Sequence, residues 1–190
     1  MGSEMCIRDR HLALNYEKRP YVGLVLIPEK EELWITDSED SWCEKKDGSI
    51  RKASFCNQKP LRDMTLVTSK NHRNQTLKKV IEKLNFKDQI VMGSVGCKIA
   101  SILRGESNIY ICLSLPGKSS PKDWDFAAPE AILKTAGGSL TYLDSDELSY
   151  GGTNLEQGGI IVATSDKFSH KSICSEIMQV IRKLDLYPFN

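Results

Sequence analysis

The sequence predicts a layered α/β domain, on three observations. Past Pro60, short runs rich in Val, Ile and Leu alternate with stretches whose apolar residues recur every three or four positions. One apolar run, Ile160 to Ala163, has no polar alternation and reads as a strand covered on both faces. A helix with legible start and stop signals lies between Asp125 and Gly138.

Taken in order, Leu12 to Asn15 and Tyr21 to Ile27 are predicted strands, joined at the charged turn Glu17-Lys18-Arg19-Pro20 and with Gly23 inside the second. Leu33-Trp34-Ile35 is a third. Residues 37–60 are polar, with turn signals at Asp47-Gly48 and Pro60, and read as a hairpin loop followed by a domain boundary. The division is therefore 11–60, belonging to a first sheet-containing domain, and 61–190, a C-terminal α/β domain. In the second part Met64 to Thr68, Ile90 to Met92, Ile109 to Leu115 and Ser139 to Leu143 read as strands, besides the Ile160 to Ala163 run. Leu77, Val80, Ile81 and Leu84 form one helical stripe. Lys98 to Arg104 is helical, and Ile173, Ile177, Val180, Ile181 and Leu184 line a final amphipathic helix. This pattern does not specify the order of the strands.

The segment Trp124-Asp125-Phe126-Ala127-Ala128-Pro129-Glu130 opens the central helix. Asp125 is suited to cap free backbone N–H groups, and Pro129 is tolerated in a first turn, where its missing N–H has no partner to lose. Gly137 or Gly138 supplies the left-handed stop. Ala128, Ile132 and Ala136 recur at helical spacing, so a narrow face of small residues can pack closely on a neighbour while Asp125 points out of the end.

Lys and Arg number 26 against 25 Asp and Glu, a formal net charge of +1, which argues against a nucleic-acid-binding surface. Six scattered cysteines without a CxxC pair read as reduced thiols of a cytoplasmic protein. No apolar run approaches the ~18 residues that a membrane helix needs. The acidic cluster Glu29, Glu31, Glu32, Asp37, Glu39 and Asp40 follows no metal spacing and reads as a solvated loop, and Trp34 and Trp42 as packing or loop aromatics. Residues 1–10, Met-Gly-Ser-Glu-Met-Cys-Ile-Arg-Asp-Arg, lack a signal-peptide core and are expected to be non-native sequence joined at about His11.

The pattern Trp-Asp-x-Ala-Ala-x-x-x-Ile-Leu-x-x-x-Gly-Gly, from Trp124 to Gly138, resembles a signature of the lithium-sensitive, Mg2+-dependent phosphomonoesterases, the superfamily of inositol monophosphatase, fructose-1,6-bisphosphatase and 3'(2'),5'-bisphosphate nucleotidase. The Ala-Pro-Glu spelling is most similar to the nucleotidases. The resemblance covers about residues 11–166 and implies the inositol monophosphatase-like sugar phosphatase fold with its amino-terminal part missing. It also implies Mg2+ as cofactor and Asp125 as a metal ligand.

Two further segments are read through the same resemblance. Gly93-Ser94-Val95-Gly96-Cys97-Lys98 lies between a predicted strand and helix, where small residues let backbone N–H groups approach a phosphate. It lacks the Walker spacing, and by itself reads as a tight turn with a solvated lysine. The resemblance makes Ser94 and Lys98 substrate-binding. Ser69-Lys70-Asn71-His72 follows a strand and by itself is an ordinary loop. In the nucleotidases a Ser or Thr and a His of this loop contact the nucleoside monophosphate, which maps onto Ser69 and His72, although the loop is spelled differently here.

The family's Glu-Glu pair and its Asp-Pro-(Ile/Leu)-Asp-Gly-Thr segment occur nowhere in the chain. In relatives that segment lies shortly before the strands that match Leu12 to Ile27. The expectation is thus a portion of an enzyme whose parent removes the 3'-phosphate of 3'-phosphoadenosine 5'-phosphate, giving AMP in sulfate assimilation. No catalytic residue is assigned within the chain, which should be inactive alone. The implied partner is a small phosphorylated nucleotide, with no nucleic acid and no membrane. The alternatives are an inositol monophosphatase and a noncatalytic nucleotide-binding domain.

Overall fold

A computed structural model describes residues 9–53, 58–69, 75–114 and 120–186. Two five-stranded sheets carry the fold. The first, sheet A, is an antiparallel meander in chain order: β1 (Arg10–Tyr16), β2 (Arg19–Ile27), β3 (Glu32–Thr36), β4 (Ser41–Lys45) and β5 (Ile50–Lys52). Sheet B comprises β6 (Thr65–Ser69), β7 (Asp88–Met92), β8 (Ile109–Ser114), β9 (Ser139–Tyr142) and β10 (Gly159–Thr164), in the order β7-β6-β8-β10-β9. In it β6 runs parallel to β7 and β8, whereas β10 is antiparallel to β8 and β9. The helices are α1 (Gln75–Leu84), α2 (Val95–Leu103), α3 (Asp123–Thr135) and α4 (Lys167–Lys183).

Side-chain alternation sets the layers. In β10, Ile161 and Ala163 join a core with Ile99 of α2, Ala128 and Ile132 of α3, and Val25 and Trp34 of sheet A. Ile160 and Val162 point the other way, into a second core with Leu77 and Val80 of α1 and Ile173 and Ile177 of α4. The stack is therefore sheet A, then α2 and α3, then sheet B, then α1 and α4. All six residues of β8 are buried, as a strand covered on both faces requires. Among the described residues no helix is long and apolar enough to cross a membrane, and Cys43, Cys97, Cys112 and Cys174 are in no disulfide.

The polar stretch 37–60 contains two strands that the sequence pattern does not display, β4 and β5, joined at Asp47-Gly48 with Gly48 at φ 81°. Each has few apolar residues. They form because β3 offers an open ladder, with Trp34 opposite Cys43 and Ile35 opposite Trp42. The acidic cluster also divides. Glu32 is not in a solvated loop: pleating turns it inward beside Trp34, where its carboxylate accepts from Trp34 Nε1 (3.1 Å) and Arg104 (2.8 Å). Its cationic partner is 72 residues away, so nothing local marked it.

Helix α3 starts two residues earlier than its signals suggested, with Lys122 at the N-cap. Asp125 is thus the third helical residue, and its Oδ2 accepts from the Lys122 amide (2.8 Å), the acidic half of a capping box. Pro129 consequently lies inside the helix rather than in its first turn. The stop is Gly137, at φ 96°. Gly138 N donates to Leu133 O (2.9 Å) and Gly137 N to Lys134 O (3.0 Å), the Schellman pattern.

The small-residue face of α3 packs on β2. A Cβ at Gly23 would lie 2.7 Å from Ala128 O and 3.2 Å from Ala131 Cβ. Helix backbone cannot yield as a flexible side chain can, so Gly23→Ala should cost about 1–3 kcal/mol as overpacking. At about 2–4 °C per kcal/mol for a chain of this size, thermal unfolding should register a clear fall in Tm, and an unchanged Tm would mean that α3 is not held against β2. The opposite face of sheet A leaves Leu12 and Leu14 67% and 61% exposed on edge strand β1. Replacing both by lysine should reduce self-association in light scattering and shift stability by no more than about 1 kcal/mol.

Candidate functional site

The carboxyl ends of the first three strands of the second sheet meet at one place. Ser69 ends β6, Met92 ends β7, and the turn Gly93-Ser94 leads into α2, so these groups sit beyond the carboxyl ends of a parallel pair, where open α/β sheets bind ligands. The amino terminus of α3 arrives from the side. Between them lies a cavity of about 300 Å3 whose lining includes Ser69, Ser94, Lys98, Tyr110, Cys112 and Asp125. Four of the five residues singled out in the sequence thus share one cavity. The fifth, His72, lies outside the described residues.

One wall joins a helix start to a buried cation. Ser94 caps α2, its Oγ accepting from Cys97 N (3.3 Å), and Gly93 to Val95 line the cavity at the positive end of the helix dipole, where the Asp9 carboxylate also stands, hydrogen-bonded to Ser94 and Cys97 N. Lys98, one turn further on, is 1% exposed and so is not the solvated lysine of the isolated pattern. Its Nζ donates to Gly93 O (2.6 Å) and Ser94 O (3.1 Å) and lies 5.3 Å from the centre of the Tyr110 ring. Burial pushes its ammonium down to about 8.

The facing wall favours cations. Two acids stand in the first turn of α3, and they differ in what they touch. Asp123 is buried, with Oδ2 accepting from Gly151 N (2.7 Å) and Oδ1 from Gln157 Nε2 (2.7 Å), so it pins a loop to the helix start. Asp125 has one oxygen on the Lys122 amide and lines the cavity.

Sequence reading missed His11, Tyr110 and Cys112 as lining residues. His11 Nδ1 is 3.1 Å from Trp124 O and Nε2 2.9 Å from Asp9 Oδ2, which ties β1 to the start of α3. Burial opposes charge on His11, but the hydrogen bond to the Asp9 carboxylate, the Asp9 and Asp125 charges and the Trp124 carbonyl together outweigh it, and the imidazole is shifted upward. The alternation in β1 would by itself turn Leu12 and Leu14 inward, so no local signal placed His11 on the inner face; the structure exposes the leucines instead. Tyr110 and Cys112 sit in a continuous apolar run, and their direction depends on where β8 lies in the sheet.

Glu130, of the Ala-Pro-Glu spelling, does not line the cavity. It is 0% exposed and bonded to Arg19, Tyr150 and Lys134, so that spelling reports a structural clamp and not a substrate contact. Among the described residues no group of three or more His, Cys, Asp or Glu side chains is arranged to hold a metal. Mg2+ is commonly bound through one or two carboxylates with waters and substrate phosphates completing its shell. Asp125 fits one such ligand, and the residues present do not make a complete two-metal centre.

Comparison with known proteins agrees with this architecture. The chain is 32% identical over 132 residues to the 3'(2'),5'-bisphosphate nucleotidase CysQ of Buchnera aphidicola, covering 69% of this chain and 46% of that protein. It is 34% identical over 85 residues to 3'(2'),5'-bisphosphate nucleotidase 1 of Mus musculus, covering 45% of this chain and 26% of that protein. It thus spans less than half the length of these relatives. Its fold matches an inositol monophosphatase from Zymomonas mobilis with a TM-score of 0.71 at 18% identity, over 90% of this chain and 62% of that one. The family model described as the inositol monophosphatase family matches residues 6–182, from the first strand through nearly all of the last helix, and the chain belongs to that family.

Proposed function

We propose that this domain forms the nucleotide-binding wall of a Mg2+-dependent 3'(2'),5'-bisphosphate nucleotidase, and that the complete enzyme removes the 3'-phosphate of 3'-phosphoadenosine 5'-phosphate to give AMP, a step of sulfate assimilation in the cytoplasm. The observation that carries this reading is the meeting of Ser69, Ser94, Lys98 and Asp125 at one cavity, where the amino-terminal ends of α2 and α3 converge. The nucleotidase relatives support the substrate class. The alternative substrate is an inositol phosphate, which the same charge arrangement accommodates. A noncatalytic nucleotide-binding domain is the reading from a different class.

In this scheme Ser94 and the start of α2 receive a phosphate, Ser69 and His72 line the nucleoside side, and Asp125 contributes one metal ligand. A bound Mg2+ supplies charge neutralisation and Lewis acidity at the phosphoryl group. The groups that activate water are assigned to the acidic segments found in relatives and absent from this chain. The proposed division into residues 11–60 and 61–190 is supported by the passage from sheet A, which ends at Lys52, to sheet B, which begins at Thr65.

The chain alone is therefore expected to bind 3'-phosphoadenosine 5'-phosphate without hydrolysing it. Turnover with Mg2+ in the usual enzymatic range of about 1 to 10³ s⁻¹ would overturn the division of labour. Calorimetric titration should favour the bisphosphonucleotide over inositol 1-phosphate, and the reverse preference would select the alternative substrate.

Asp125→Asn separates a metal ligand from a mere cap. Asparagine keeps an oxygen for the Lys122 amide, so stability should fall by about 1 kcal/mol or less. Added Mg2+ should tighten nucleotide binding to the parent chain and fail to do so for the variant. Equal enhancement by Mg2+ in both would remove Asp125 from the site.

A further inference from the structure

The carboxylate of Asp125 is aimed by a segment distant in sequence. Just before α3, Lys122 stands opposite Glu156 in an isolated antiparallel bridge, flanked by two backbone bonds, Asp123 N to Leu155 O and Gln157 N to Pro121 O (2.9 Å each). A residue placed between two such ladder bonds turns its own N–H and C=O away from the partner strand. Lys122 therefore presents both groups to the first turn of α3. Asp125 takes both, its amide donating to Lys122 O (2.9 Å) and its Oδ2 accepting from Lys122 N (2.8 Å). One carboxylate oxygen is thus tied to a peptide whose direction is set from outside the helix.

A two-stranded pairing this short is not stable by itself, and a buried side-chain amide secures it. Gln157 is 1% exposed. Its Nε2 donates to Asp123 Oδ1 (2.7 Å) and Ser149 O (2.9 Å), and its Oε1 accepts from the Tyr142 hydroxyl at the end of β9. Both amide hydrogens and the carbonyl are therefore engaged. Turned over, the amide would set its oxygen against the Asp123 carboxylate, so its partners fix one orientation. Asp123 completes the tie through Oδ2, which accepts from Gly151 N (2.7 Å), and Lys122 Nζ pairs with Glu156 on the outside of the bridge. The path runs from sheet B through Gln157 to the bridge, and from the bridge through Lys122 to Asp125.

We propose that Gln157 and Asp123 are positioning residues for Asp125: by locking the 121–123 and 155–157 segments together they direct the Lys122 peptide at Asp125 and hold its carboxylate at the cavity. This rests on the reading of Asp125 as a metal ligand and names the groups that aim it. Neither positioning residue lines the cavity. Asp123 carries a charge that could attract a cation directly, whereas Gln157 carries none, so Gln157 separates aiming from electrostatic attraction.

The test uses the chain as it stands, with Mn2+ alone as the probe, a cation suited to carboxylate and water ligands whose unpaired electrons broaden nearby amide signals. Gln157→Leu removes the three hydrogen bonds and alters no charge. Hydrogen exchange at the Lys122 amide should become about tenfold faster or more. The Mn2+ concentration that half-broadens the amides of residues 123–126 should rise about tenfold, and Asp125→Asn, measured alongside, should abolish the broadening. A freed Lys122 amide with an unchanged Mn2+ requirement would make the tie a matter of stability alone and overturn the proposal.

A milder variant covers the case in which Gln157→Leu does not fold. Tyr142→Phe removes only the bond to Gln157 Oε1 and should move both readings in the same direction by about threefold. An unmoved Lys122 amide in the folded variants overturns the tie. If Mn2+ broadens none of these amides in the parent while the variants still free Lys122, the metal reading of Asp125 falls and the tie stands.

Discussion

The close approach of α3 to β2 at Gly23 is the constraint on which the rest of the architecture depends. Because Gly23 has no side chain, the Ala128 backbone comes nearer to the sheet than any larger residue would allow. That fixes the tilt and depth of α3, whose other side carries Ile132 and Leu133 into the core shared with sheet B. A similar contact holds the far end of the helix, since a Cβ at Gly138 would lie 2.6 Å from Thr164 O. With both ends located, the first turn of α3 has one place to go, and Asp125 goes with it.

Buried charges tie the same layers together at their edges. At one edge Glu130 of α3 receives Arg19 from the start of β2, Tyr150, and Lys134 (3.1 Å), while Arg19 also reaches Leu148 O. At another edge Arg104, at the end of α2, reaches Glu32 of β3 and the more exposed Glu106 (2.8 Å each). Such networks add little net stability over an apolar replacement, but losing one member leaves a charge stranded, which is strongly unfavourable. Their effect here is to fix register between sheet A and the helices, so that the cavity wall formed by α2 and α3 is held on both flanks.

The site follows from this frame by geometry. Two helices present their amino termini to one cavity, and the residues at those termini give the two walls opposite character. At α2 the cap is Ser94, with the Asp9 carboxylate accepting from Cys97 N and Lys98 buried beneath the turn, donating to the Gly93 and Ser94 carbonyls. At α3 it is done by aspartates, of which Asp123 is consumed by the loop it anchors and Asp125 is the one that lines the cavity. The helix dipole acts alike at both ends, so side-chain identity makes the distinction.

By itself, the sequence determined the elements whose periodicity or punctuation is local: the stripe of α4, the continuous apolar β10, the Gly137-Gly138 stop, and the Trp-Asp signature that carried the family resemblance and Asp125. Ser69, Ser94 and Lys98 came through that same resemblance, since by themselves their segments read as an ordinary loop and as a tight turn with a solvated lysine. The tertiary structure alone decided features that depend on partners distant in sequence. Strands β4 and β5 form on an edge provided by β3, Glu32 is inward because Arg104 awaits it, and Glu130 is a clamp because Arg19 and Tyr150 surround it. The burial of Lys98 belongs to the same class, because a lysine in a glycine- and serine-rich turn is solvated or buried according to whether another strand lies beneath it, and β8 puts Tyr110 there. Local pattern encodes what a segment does with its own backbone, whereas burial and pairing of a polar group are set by whatever the remaining chain brings against it.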